Sequence, residues 1–205
     1  MPEIVLGLKR RVAKCWMGSI EFARKALGSL KRTQRAGWMQ SMDRADVESV
    51  CDHSHGVALL AVLAGQETGA LDTGKLTQMA VVHDISEAVV GDLTPHDGVS
   101  PEEKAKREDD AMQQLCALLP GERSRNELLD LWREYEHRRS EEAVLVGELD
   151  KVEMVLQADM YEQQLGHDLS NFFSSADKYV RNNGTARHWL NQVLREREQR
   201  MQAQV

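Results

Sequence analysis

The chain has 205 residues, 41% of them hydrophobic and 29% charged, which suits one folded domain with a sizeable core and excludes a disordered or fibrous chain. Its formal net charge of -7 argues against a general affinity for nucleic acid polymers or anionic membrane, while leaving room for a small basic pocket. Three scattered cysteines, Cys15, Cys51 and Cys116, with no C-x-x-C pair, point to reduced thiols in a cytoplasmic setting rather than a disulfide framework or a thiolate zinc site.

The first segment, "MPEIVLGLKRRVAKCW", is basic and weakly amphipathic and lacks the long apolar centre of a secretory signal. A mitochondrial presequence is the minor alternative, with Glu3 and the scarcity of serine against it. No apolar stretch of the sequence reaches the roughly 20 residues of a membrane span. Residues 1–19 read as an extension or first helix, 20–180 as a single domain, and 181–205 as a C-terminal helix packing on it.

The remaining elements read as all-α. Apolar residues recur at helical spacing in 47–65, "VESVCDHSHGVALLAVLAG", and in 75–90, "KLTQMAVVHDISEAVV". Ser100 is placed to cap a third helix, with Pro101 in its first turn and Glu103 reaching back, and Pro120-Gly121 stops it. Further helices are predicted over 123–138, 141–165 and 185–202, with loops at 67–74, 91–99 and 166–182. Alternating strand-like runs are missing, and no internal repeat is present.

On the 75–90 segment His83 and Glu87 lie four apart and share a face, and Asp84 sits about 100° around from His83. The preceding "MAVV" turns that face inward, and a buried, unpaired carboxylate is costly, so Asp84 must be paired, neutralised or metal-bound. On these residues alone a structural His-Asp hydrogen bond serves as well as a metal site. The rest of the chain shifts the balance: His53 opens the 47–65 helix, and Asp150 interrupts the apolar stripe of "VGELDKVEM". Three helices thus each bring a metal-capable residue to their inward side. Two imidazoles and two carboxylates suit Mn, Co, Fe, Zn or Ni better than calcium, and leave positions for water and substrate; Mg is kept as a further candidate ion.

The ordered set His53, His83-Asp84, Asp150 resembles the HD-domain metal-dependent phosphohydrolases. The words "LKRTQRAGW", "ESVCDHS", "VVHDISEAVVGDLTP", "PEEKAKRE", "LWREYE" and "LDKVEMVLQADMYE" are similar to one branch, the HD-domain 5'-deoxynucleotidases of the eukaryotic type, from about residue 20 to about 175. The resemblance implies a single HD-domain helical bundle in which His53, His83, Asp84 and Asp150 bind one divalent metal ion. It implies Glu87 as the acid/base and Asp92 as a sugar contact. Arg35 and Trp38 would meet the phosphate and the deoxyribose, with Lys151 near the phosphate. The substrate implied is a deoxyribonucleoside 5'-monophosphate, and a homodimer is implied with it. Alternatives of other kinds are an HD phosphohydrolase acting on another nucleotide or phosphomonoester, and a non-catalytic metal-binding regulatory protein. The chain departs from the branch before "ESV", where Asp46 replaces a basic residue and Arg44 stands two positions earlier.

Other conspicuous residues have plainer readings. His55, His96, His137, His167 and His188 read as surface residues, and Trp16, Trp132 and Trp189 as core or interface aromatics. "KAKREDD" reads as a solvated helix face. Asp52 fits either a helix cap or a partner for a ligating histidine.

Overall fold

The computed structural model describes residues 17–181 and 184–203; Cys15, Trp16 and most of the N-terminal extension lie outside them. Among the described residues the fold is all-α, with a single isolated bridge between Gln34 and Ser49 in place of any strand. Helix α1 spans 17–30, and two 3-10 turns, Trp38–Gln40 and Arg44–Asp46, lead into α2, Val50–Thr68. Then follow α3 (Thr73–Val82), α4 (Glu87–Val90), α5 (Pro101–Cys116), α6 (Glu122–Glu136), α7 (Glu141–Leu165), α8 (Ser170–Tyr179) and α9 (Thr185–Ala203).

The 25-residue helix α7 is the axis of the bundle. Its apolar residues leave no polar stripe, and Ala143, Val146, Leu149, Val152, Val155 and Ala158 are fully buried. A helix apolar on most sides must be surrounded, and α2, α3, α6, α8 and α9 all pack against it. A smaller apolar cluster, built on Val50, Ile85, Met112, Leu115 and Trp132, joins the start of α2 to α5 and α6. The C-terminal helix α9 is tied to α7 by Arg197 Nε on Glu162 Oε2 at 2.6 Å and by an ion pair of Arg200 with Asp159.

Local chemistry sets the boundaries. Ser49 and Asp52 form a reciprocal capping box at the start of α2, with Ser49 N donating to Asp52 Oδ2 at 3.0 Å and Asp52 N to Ser49 Oγ at 3.1 Å. Ser100 caps α5 as expected, but Glu103 does not reach back: its carboxylate accepts from Arg107 Nε at 2.7 Å, one turn on.

Two expectations are corrected. The segment 75–90 is not one helix: α3 ends at Val82, and residues 83–86 form a tightened turn before α4. Continuing the helix would require Glu87 N to bond His83 O. That carbonyl is taken instead by the Trp132 indole at 3.1 Å, and Glu87 N turns to Asp84 O at 3.1 Å. The predicted loop 166–182 contains α8, whose buried Phe173 and Ala176, with Val180 beyond them, recur at helical spacing. Gly166, Asp168 and the run of serines obscured that short amphipathic pattern.

Candidate active site

Three helices converge on one end of a cavity of about 700 Å³. His53 arrives in the first turn of α2, fully buried, where the capping box fixes the direction of the helix. His83 and Asp84 stand at the broken end of α3, and Asp150 is mid-way along α7. His53, His83 and Asp150 each offer an atom within 4.8 Å of the other two. Asp84 Oδ2 lies 3.0 Å from His83 Nε2 and 3.7 Å from His53 Nε2, and Asp150 Oδ1 lies 3.2 Å from His53 Nε2.

These atoms are close without being bonded. His53 Nε2, His83 Nε2 and Asp150 Oδ1 are all buried and lack a hydrogen-bond partner. Orphaned buried polar atoms are costly, and several pointing at one place call for a shared cation. Neighbouring ligands of one ion, held by bonds of about 2.1 Å, sit ~3 Å apart, which is the scale of these separations. The far nitrogens are already committed: His83 Nδ1 bonds Ala80 O at 2.8 Å, and His53 Nδ1 meets Glu153 Oε2 at 2.5 Å. The donor set therefore fits a divalent metal ion.

The charges agree. Burial works against an ionised Asp84, but His83, Arg35 and His53 hold its carboxyl well below the usual range. Burial likewise opposes Asp150, and Lys151 and His53 hold it well below. Both carboxylates are therefore suited to meet a cation as anions. Glu87 behaves oppositely. It is 4% exposed, its Oε2 has no partner, and burial together with Asp84 and Asp92 pushes it well above the ordinary range.

The remaining expected residues line the same cavity. Arg35 Nη1 is 3.4 Å from Asp84 Oδ2, and its Nη2 is 3.9 Å from Asp150 Oδ1. Lys151 Nζ is 3.0 Å from Asp150 Oδ2. Asp92, just past Gly91 (φ +78), accepts from Ala36 N at 2.7 Å, joining the loop that carries Arg35 to the one after α4. Trp38 is 2% exposed; its Nε1 donates to Glu48 at 2.9 Å and its ring lies against Phe172 of α8 at 4.1 Å. Arg44 does not enter the cavity lining and pairs with Gln34.

His55, His137, His167 and His188 are exposed, and His96 is exposed at the cavity rim. Trp132 is buried in the smaller cluster, and Trp189, partly buried, packs against the main core. Asp52 completes the capping box with Ser49, and the partner of the His53 ring is Glu153, which sequence reasoning missed. Its signal was the three-residue spacing from Asp150, which puts both carboxylates on one face of α7. "KAKREDD" is solvated except at Lys104 and Glu108, which line the cavity, with Glu108 only 7% exposed.

Glu136, at the end of α6, also lines the cavity, and burial followed by the charge of Glu108 pushes it up to about 7. A carboxyl raised from its unfolded value of about 4.5 costs the fold nothing at low pH, and an increasing amount as pH rises towards 7. Glu136→Gln should therefore stabilise the substrate-free protein at pH 8, by on the order of 2–3 kcal/mol, and much less at pH 5. Thermal melts at the two pH values measure it; an equal gain at both would show that Glu136 is not held protonated.

This fold and this site define an HD-domain protein. The HD domain family model matches residues 27–189, and the chain belongs to that family. Among individual proteins, it is 42% identical over 146 residues to the mouse 5'-deoxynucleotidase HDDC2, covering 71% of this chain and 70% of that one. It is 37% identical over 180 residues to the 5'-deoxynucleotidase hdd1 of Schizosaccharomyces pombe, covering 84% and 87%. The crystal structure of a predicted metal-dependent phosphohydrolase from Magnetospirillum magnetotacticum superposes with a TM-score of 0.68 at 25% identity, covering 89% and 96%.

Proposed function

We propose that this protein is a metal-dependent 5'-deoxynucleotidase that removes the phosphate from deoxyribonucleoside 5'-monophosphates. The observation that carries it is the convergence of His53, His83, Asp84 and Asp150, three of their buried atoms orphaned, beside the buried Glu87, whose Oε2 also lacks a partner. The cavity has the volume of a small-ligand site, and the printed names of the curated relatives supply the substrate class.

His53, His83, Asp84 and Asp150 would hold the ion. When bound, a divalent metal supplies Lewis acidity and lowers the pKa of water to near neutral. Phosphate monoesters resist hydrolysis because their charge repels a nucleophile. Arg35, aimed at the same point as the two carboxylates, answers that charge: its planar fork can take two non-bridging oxygens, and Lys151 adds a second cation beside it. The 5'-oxygen leaves with developing negative charge, and Glu87, which lines the cavity and whose carboxyl burial pushes well above its ordinary range, would give it a proton. Asp92, held by Ala36 N, would accept a hydrogen bond from the sugar. Trp38, clamped between Phe172 and Tyr161, would deny space to a 2'-hydroxyl.

The expected result is phosphate release from deoxynucleoside 5'-monophosphates by chelator-treated protein only after a divalent ion is restored. Ribonucleotides should be slower by up to about 100-fold, the discrimination an apolar wall gives against an added hydroxyl. Metal-independent turnover would overturn the reading, and equal rates on both sugars would remove Trp38 as the selector. The homodimer, implied by the family resemblance, and the cytoplasmic location, in keeping with the unpaired thiols of Cys51 and Cys116, are part of the same proposal. A monomer mass in sedimentation, or an organelle-resident tagged protein, would overturn them.

A further inference from the structure

We infer that Glu153 is a positioning residue for the metal centre: it holds the His53 ring in the tautomer and orientation that turn Nε2 towards the ion. The inference rests on the metal reading above and extends it to a residue outside the ligand set. Among the described residues, Glu153 is the hydrogen-bond partner of Nδ1 on the far side of that imidazole. Its Oε2 lies 2.5 Å from Nδ1, inside the core, where the carboxylate is only 7% exposed. With Nδ1–H donated to a carboxylate, the Nε2 lone pair is free for a cation. The orphaned state of Nε2 agrees with that division of roles.

A second ion between His53, Glu153 and Glu48 is the competing explanation, since their atoms fall within 4.8 Å of one another. The 2.5 Å separation of Nδ1 and Oε2 argues against it, because two ligands of one ion stand ~3 Å apart. That separation lies just below the usual N–H···O range, closer to a direct hydrogen bond than to two ligands of one ion.

The fold makes room for this contact. Gly56 lies three residues after His53 on α2, one turn along the same face. A Cβ there would stand 2.5 Å from Glu153 Oε1 and 2.8 Å from its Cγ. The obstructed atoms belong to a flexible side chain, so a methyl at 56 would move the Glu153 carboxylate rather than the backbone. Helix α7 thus contributes twice on one face: Asp150 to the ion, and Glu153 to the histidine opposite.

The test is calorimetric titration of the full-length, substrate-free, chelator-stripped protein with Mn²⁺, alongside melting of the metal-free form. Asp150→Ala, a ligand control, should abolish binding. Glu153→Ala should weaken binding about 10–100-fold, the effect of removing a carboxylate behind a ligating histidine. Glu153→Gln keeps a carbonyl oxygen for Nδ1–H and should recover part of the loss. Gly56→Ala should weaken binding with both Glu153 and His53 still present, and it decides the matter if Glu153→Ala does not fold. Wild-type affinity in the Glu153 and Gly56 variants, even with a lowered melting temperature, would overturn the inference and leave the metal reading intact. Wild-type affinity in Asp150→Ala would instead overturn the metal reading itself.

Discussion

Glu87→Gln is expected to keep its divalent ion and lose about 10²–10⁴-fold in turnover, the range that a positioned general acid contributes. The amide has the shape of the acid but no proton to give. Folding should tolerate the change, because Oε2 has no partner to lose and burial already disfavours the charged form. The wild-type rate should fall on the alkaline side as Glu87 loses its proton, and the variant should lack that limb. Metal analysis together with a pH–rate profile checks both statements. Full activity in the variant would remove Glu87 from the mechanism.

Asp84→Ala fails at an earlier stage. Asp84 Oδ2 faces both imidazoles, 3.0 Å from His83 Nε2 and 3.7 Å from His53 Nε2, and also faces Arg35, so its loss takes one anionic carboxylate away and leaves the guanidinium beside the two histidines. Metal affinity should fall by at least about 100-fold, more than removal of an outer partner costs, and turnover should drop to background. Elemental analysis after dialysis measures the first. A protein that retains one ion per chain and yet is inactive would show that Asp84 acts on the substrate rather than on the metal.

These two variants separate holding the ion from using it, and the sequence distinguished the residues concerned to different degrees. His53, His83, Asp84 and Asp150 were legible because each is a polar residue on an apolar helical face, where burial without a partner is too costly. The all-α architecture followed from the same periodicity. The break at His83 was not legible, since it depends on an indole from α6 claiming one carbonyl, a contact made only when distant helices pack. Glu153 was visible as a letter but not as a partner; Asp52, one residue before His53, was an equally good candidate until the capping box claimed it. Glu108 was misread with its charged neighbours, because one inward carboxylate in "KAKREDD" hardly alters the overall pattern. Helix α8, which brings Phe172 against Trp38, was hidden by its polar composition.

The turn at residues 83–86 has a consequence for how this chain tolerates length changes. In an unbroken helix, one inserted residue rotates everything beyond it by about 100°, so the whole downstream face would be redirected. Here the spacing from His83 and Asp84 to Glu87 is set by a four-residue turn pinned to Trp132. An insertion within that turn would part the ion-holding end of the segment from the proton-donating one. The loop before α3, around Gly69 to Asp72, lies outside that turn and should accept extra residues without disturbing the register.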